Sequence, residues 1–363
     1  MGTLIENYRT GIRLLCILGL TFMVTSVGVL AQAPADSTAP VTISGFVDTY
    51  YSFNFARPQS RLNRLTNFDL AESQFTLSSA EVDIARTATP VGFRLELATG
   101  SGADQINAGT ESARIFQQAY LTFIVPIGAG LTIDAGKFFT HMGYEVVKAK
   151  DNFNYSRSLL FAWPIPYYHT GVRVSYPIAE TVTGTLIFSN GWNSSIANPG
   201  KTFGASLAIA PTPAVSVVLN WLGGPEEADS VTSEFRHVVE GLATVKVSDN
   251  VTFGCDGVYG TEHLPIGTVT WGGGAVYARF GLSPTSALSL RGEIYSDPNG
   301  WTTGAVQDLK EVTCTYEKIL FSSLILRAEY RYDVSSARPF DGVDGDGTRK
   351  DQSRAALACI VTF

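Results

Sequence analysis

Charged side chains of opposite sign recur at every second position in several short runs of this chain. In Ser323–Asp333 the series Arg327, Glu329, Arg331, Asp333 alternates with Leu324, Leu326, Ala328, Tyr330 and Tyr332. Val91–Thr99 sets Arg94 and Glu96 against Val91, Phe93, Leu95 and Leu97, and Ala287–Tyr295 carries Arg291 and Glu293 in the same way. A repeat of two is the signature of an extended strand with two unlike faces. Arg173, Glu240, Lys246 and Arg279 hold comparable positions in less regular runs. Alternate side chains on a strand stand ~7 Å apart, so each run is a ladder of opposite charges. Such a ladder can set a transverse field that orients solutes in a watery passage. It can equally brace a wall through neighbouring ion pairs. The signs are mixed, so weak ion selectivity at most is expected.

Other chemistry-bearing residues give less. His141, His169, His237 and His263 are scattered, with no spacing that suggests a triad. His169, beside Tyr168 and Thr170, is the one that invites a catalytic reading. Asp341–Gly347 is rich in Asp and Gly, but Gly342 breaks the pattern of a calcium loop, and a solvated loop is the simpler reading. Gly272–Gly274 has no helix after it, so it is not a phosphate loop; glycines there would ease curvature or close packing. Cys255, Cys314 and Cys359 have no regular spacing and read as small apolar side chains. No cofactor and no metal site are expected.

The elements that must position the charged ladders repeat one unit after Pro40. A run of about ten residues alternates, a tight turn follows, then a second run and a longer polar connection; strands of ~9–11 residues cross a bilayer core when tilted. Short connections fall near 88–90, 126–130, 177–181, 211–213, 248–250, 281–286 and 318–322. Long ones fall near 54–72, 101–113, 140–168, 190–201, 224–235, 261–268, 297–306 and 334–352. The spacing predicts an all-β fold: a transmembrane antiparallel barrel of about 16 strands with short periplasmic turns, long extracellular loops and both termini on the short-turn side. The regions 73–87 and 236–247 alternate least clearly. A soluble sandwich would have to bury the Arg and Glu face, which is costly.

Composition agrees. Only 16% of residues are charged, below the ~25% usual in soluble domains. One apolar stretch, Leu14–Leu30, follows Arg9 and Arg13 and ends in Ala31-Gln32-Ala33-Pro34. This reads as a cleaved signal peptide over residues 1–31, the cut after Ala31 suiting the peptidase better than one beside Pro34. An uncleaved anchor is the alternative. Residues 32–40 form a flexible lead-in, and 41–363 the barrel. Without the leader the chain has 24 basic and 32 acidic side chains. No basic run is present, so no nucleic-acid partner is expected.

Several blocks carry a family resemblance. Gly136-Lys-Phe-Phe-Thr-His-Met-Gly-Tyr-Glu145 precedes Asn154-Tyr-Ser-Arg-Ser158. Pro166-Tyr-Tyr-His-Thr-Gly-Val-Arg173, Asn190-Gly-Trp-Asn193 and Leu326–Asp333 follow. Their order and spacing, from about Val41 to Phe363, resemble the OmpL-like β-barrel porins. The resemblance implies an outer-membrane pore and supplies no solute. The final strand, Ser353–Phe363, ends in an aromatic residue and looks like the recognition strand read by the barrel-assembly machinery.

The longest connection, Thr140–Tyr168, is the third on the long side. In general-diffusion porins that loop folds inward and narrows the lumen. Tyr144, Glu145, Lys148, Lys150, Asp151 and Arg157 are the constriction candidates here, with Tyr155, Phe161 and Trp163 as nearby aromatics. An external loop packed over the rim is the alternative. Three functions follow: a passive porin for small hydrophilic solutes, seated in outer-membrane lipid and open to homotrimer formation; a plugged or narrow barrel with a structural or adhesive role through its loops; or a barrel enzyme, which is not expected.

Overall fold

The computed structural model describes residues 39–107, 114–194, 200–227 and 234–363. The export signal read at 1–31 lies outside them. The strands in chain order are β1 (Val41–Asn54), β2 (Gln74–Arg86), β3 (Val91–Thr99), β4 (Phe116–Val125), β5 (Leu131–Phe139), β6 (Tyr168–Ala179), β7 (Val182–Ser189), β8 (Thr202–Thr212), β9 (Val215–Gly224), β10 (Arg236–Ser248), β11 (Val251–Leu264), β12 (Gly267–Ser283), β13 (Ser286–Asp297), β14 (Gln307–Leu320), β15 (Leu324–Ser335), β16 (Phe340–Gly342), β17 (Gly345–Arg349) and β18 (Asp351–Thr362). β16 and β17 pair only with each other; the other 16 form one closed antiparallel barrel in which β18 lies between β15 and β1. The seam runs from Phe46↔Thr362 to Asn54↔Arg354 and is extended by mutual backbone bonds between Gly45 and Phe363 at 3.0 and 3.1 Å. Closure leaves no unpaired edge, as a sheet in lipid requires.

Alternation sorts the side chains. Leu121, Val276, Ile294 and Leu357 are exposed on the outer face, the apolar band a membrane demands. Their neighbours Arg291, Glu293, Arg354 and Ala356 are buried inside. Cys255 and Cys314 are exposed on the outer face and Cys359 is half-buried there, all three unpaired, as their small apolar character suggested. The two regions of weak alternation are strands β2 and β10.

One expectation needs correction. Residues 261–268 read as a long loop, but β11 continues to Leu264 and β12 starts at Gly267. The polar residues there divide between two faces: Glu262 is buried and sits 2.7 Å from Arg236, while His263 and Thr268 are exposed and lie 2.7 Å apart. Three of the other long connections carry structure of their own. Helix α1 (Ser101–Ile106) follows β3, helix α2 (Leu159–Ala162) lies within 140–167, and the β16–β17 hairpin tops the last connection. At the opposite end the links are tight. The β14–β15 turn has Phe321 and Ser322 at φ 53° and 61°, the backbone pattern of a type I′ turn without its usual glycine.

Candidate functional site

The connection 140–167 lies inside the barrel and is bonded to the wall along its length. Glu240 on β10 accepts from Gly143 N at 3.0 Å, and Asn220 on β9 donates to His141 O at 3.2 Å. Tyr144 stacks on Tyr277 of β12 with ring centroids 4.2 Å apart. A Cβ on Gly254 of β11 would collide with the Tyr144 ring, so glycine is what admits the loop there. On β13, Arg291 reaches Glu145 at 2.6 Å and Ser156 O at 2.7 Å, while Glu293 accepts from Leu159 N and Leu160 N at 2.8 and 3.2 Å. On β15, Glu329 accepts from Tyr155 N and Ser156 N at 2.6 and 3.0 Å. Arg327 donates to Ala149 O and Asn152 O at 2.6 and 2.7 Å, and Arg331 to Arg157 O at 2.6 Å. Tyr155 Oη donates to Asp48 on β1 at 3.0 Å. Lys148 meets Glu81 of β2 at 2.5 Å and Glu96 of β3 at 2.8 Å.

The geometry divides the charged residues read from the sequence. Glu96, Glu240, Arg291, Glu293, Arg327, Glu329 and Arg331 contact the inserted loop directly. Arg94, Arg173 and Arg279 instead pair along the wall, with Asp83 at 2.5 Å, Asp134 at 2.7 Å and Glu317 at 2.7 Å. Asp333 accepts from Arg331 at 2.8 Å. Lys246 stands at the turn end, half exposed, beside Asp249 at 3.1 Å. Among the loop candidates, Glu145, Arg157 and Lys148 are held by the interior, and Tyr144 is packed against it. Lys150 and Asp151 pair with each other at 2.8 Å on a more exposed stretch.

Sequence reasoning missed the partners of these groups. Glu311 lies 3.0 Å from Arg291, and Glu317 lies 2.7 Å from Arg327. Both sit on β14 at a spacing of two with Thr313 and Thr315, a signal masked by the polar residues Asp308, Lys310 and Lys318 on its other face. The first long connection, expected near 54–72 as an extracellular loop, spans residues 55–73. Part of it also enters the barrel. Phe68 packs edge-on against Tyr167 at 5.6 Å and lies 4.5 Å from the Arg157 guanidinium, and Asp69 is 2.8 Å from Arg354. Two histidines do come together: the rings of His141 and His169 are 5.7 Å apart, with Thr140 Oγ1 3.2 Å from His169 Nε2.

Space remains at both ends of the barrel. A cavity of about 420 Å³ opens at the turn end between β1–β4 and the loop, lined by Glu81, Asp83, Arg94, Lys148 and Lys150 among others. A second, about 570 Å³, opens at the loop end beside Thr66, Asn67 and Trp163. Between them lies a narrow space of about 20 Å³ lined by Asp48, Phe68, Glu81, Lys148 and Arg157 among others, no more than a water needs. It shares Glu81 and Lys148 with the lower cavity, and Phe68 adjoins the residues of the upper one.

Residues 40–363 match the family described as "Putative beta-barrel porin-2, OmpL-like". The chain belongs to this family, and its barrel is an outer-membrane porin channel. No curated protein matches the sequence. Among solved structures it is similar to an anion-selective porin from Comamonas acidovorans, with TM-score 0.63 and 11% identity over 89% of this chain and 99% of that one. It is also similar to the trimer form of OmpT from Vibrio cholerae, with TM-score 0.61 and 12% identity over 89% and 99%. OmpF of Salmonella typhi in complex with daunomycin gives TM-score 0.59 and 12% identity over 89% and 97%. At these identities the likeness shows the fold alone.

Proposed function

We propose that this porin passes small hydrophilic solutes along the β1–β4 side of its lumen, with Lys148 as the narrowest charged point. The observation that carries this reading is the lopsided filling of the barrel. On the β13–β15 side the charged groups are saturated by the loop: Arg291, Arg327 and Arg331 are 1–3% exposed. The turn-end cavity lies on the other side, against β1–β4, and is separated from the loop-end cavity by the Phe68–Arg157 contact and by Lys148 between Glu81 and Glu96. A lumen-facing cation held by two carboxylates opposes its own field, which fits weak selectivity.

The test is single-channel conductance in planar bilayers. Lys148→Ala leaves two carboxylates and a wider gap, so conductance rises and the reversal potential moves toward cations. Unchanged values in this variant would place the route elsewhere. A plugged barrel acting through its loops is favoured by one observation, the 20 Å³ space at mid-height. It predicts no conductance steps in either protein.

Homotrimer assembly belongs to the same proposal and draws support from the trimer form of the Vibrio cholerae structure. So does delivery by the barrel-assembly machinery through β18. Phe363, which follows it, is 65% exposed at the seam, where an insertion factor can reach it. We assign no catalytic step to the barrel: the hydroxyl beside the histidine pair is Thr140, and His169 is fully buried behind His141 of the loop.

A further inference from the structure

The loop-end cavity of about 570 Å³ falls within the ~300–1,000 Å³ of small-molecule sites, and passage alone does not account for its construction. Four long connections converge on it, contributing residues 62–70, Trp163, Thr303 and 339–347. Its frame is fixed. Asp341, 3% exposed, accepts from Ser60 Oγ at 2.6 Å, Arg64 Nε at 2.6 Å and Gly347 N at 2.9 Å, which ties the first connection to the last. Leu65 in the lining and Arg61 before it hold φ of 56° and 58°. Side-chain-bearing residues persist in that conformation only where the surroundings over-determine them.

Within this frame several polar groups are under-used. The Trp163 indole N–H is buried and has no partner among the described residues, so the indole meets the cavity with its ring. Asn67 Nδ2 donates to Ala162 O at 2.8 Å and to Tyr167 Oη, while its Oδ1 accepts from none of the described residues. The Asp346 carboxylate is 63% exposed and reaches Arg64 only at 3.5 Å. Around the cavity stand the Trp163 ring, a carboxylate and an amide oxygen as acceptors, and a guanidinium whose charge Asp341 already balances.

We propose that this cavity is a binding site for a neutral sugar. The axial C–H face of a pyranose packs on an indole ring, and an amphipathic aromatic is the side chain suited to a ligand with one apolar face and a polar rim. Adjacent hydroxyls can donate to the two oxygens of Asp346 and to Asn67 Oδ1, and accept from Arg64. Asp346 is the uncompensated charge, so an anionic solute is repelled. The role as a capture site rests on the loop end being the entrance of the porin proposed above; binding itself does not require conduction.

Saturation-transfer NMR on the detergent-solubilised full chain, with glucose and maltose as probes and glucosamine and gluconate as charged controls, tests the site. Glucose or maltose is expected to give transfer with millimolar affinity, weakened at least tenfold in both Trp163→Ala and Asp346→Asn, with gluconate silent. Asp346 is exposed, so its variant keeps the fold if the tryptophan change does not. No sugar binding by the wild type, equal binding by both variants, or glucosamine preferred tenfold over glucose each overturns the proposal. A protein that conducts without binding sugar refutes this site and spares the porin route. One that binds sugar but gives no conductance steps does the reverse.

Discussion

His141 shows how far burial inside the barrel alters a single side chain. It lies in the inserted loop, outside the strands, with Nε2 3.4 Å from Trp221 O. Burial pushes its pKa down to about 4; the Trp221 carbonyl pulls the other way, and the positive charge of Arg173 lowers it further. The packed imidazole is therefore neutral, whereas a released loop would carry one of pKa near ~6.5. The sign follows from proton counting: between about 6.5 and 4 the released loop binds a proton that the packed loop does not. His141 packing is thus fully present above pH ~6.5 and is lost as pH falls toward 4. Hydrogen-exchange protection of amides 140–145 is expected to drop between pH 7 and pH 5, and His141→Asn to remove most of that drop. An identical drop in the variant would assign the sensitivity to another group.

Strands and turns follow rules that the sequence displays openly, and one turn breaks them. Phe321 and Ser322 both have positive φ, a conformation that costs a non-glycine residue roughly 1 kcal/mol. Ser322→Gly is expected to raise barrel stability by about 1 kcal/mol, read as a higher urea midpoint in micelles with unchanged slope; a lower midpoint would mean that the serine side chain contributes more than the strain costs. The same local logic explains what was legible beforehand. Runs such as Val91–Thr99 announce a strand because one face must meet lipid and the other must not. The β11–β12 hairpin was obscured because above the membrane both faces are polar, so Thr261, Glu262 and His263 look like a loop. The inserted loop was legible only as a set of candidates. Glu145, Lys148 and Arg157 do meet the wall, but their partners Arg291, Glu81 and Arg331 are distant in sequence, and no local pattern records such a pairing. Phe68 and Asp69 gave no sign at all, since a loop that turns inward has the same composition as one that turns out.

At the scale of the whole molecule the barrel has two structures of different kinds, a hydrogen-bonded shell and a charged filling. The shell is held by 16 strand pairings whose backbone groups have no alternative partner in lipid. The filling is held by side chains that water could solvate if it entered. The two should therefore fail separately. Arg291 is the place to test this, because it joins loop to wall and one strand to the next: Glu145 at 2.6 Å, Glu311 at 3.0 Å and Glu293 at 3.7 Å surround it. Removing one member of a buried charge network destabilises its surroundings by roughly 3–5 kcal/mol, because the remaining charges are left unpaired. In Arg291→Ala three carboxylates face each other without their cation, and admitting water and ions between loop and wall is the direct relief. The shell has no comparable reason to open, since no strand pairing passes through the side chain. The expected result is a barrel that keeps its heat-modifiable migration on SDS gels while its single-channel conductance rises severalfold. Loss of the compact gel form would show that filling and shell are one cooperative unit. An intact form with unaltered conductance would show that the loop stays in place through its backbone contacts to Glu293, Glu329 and Glu240.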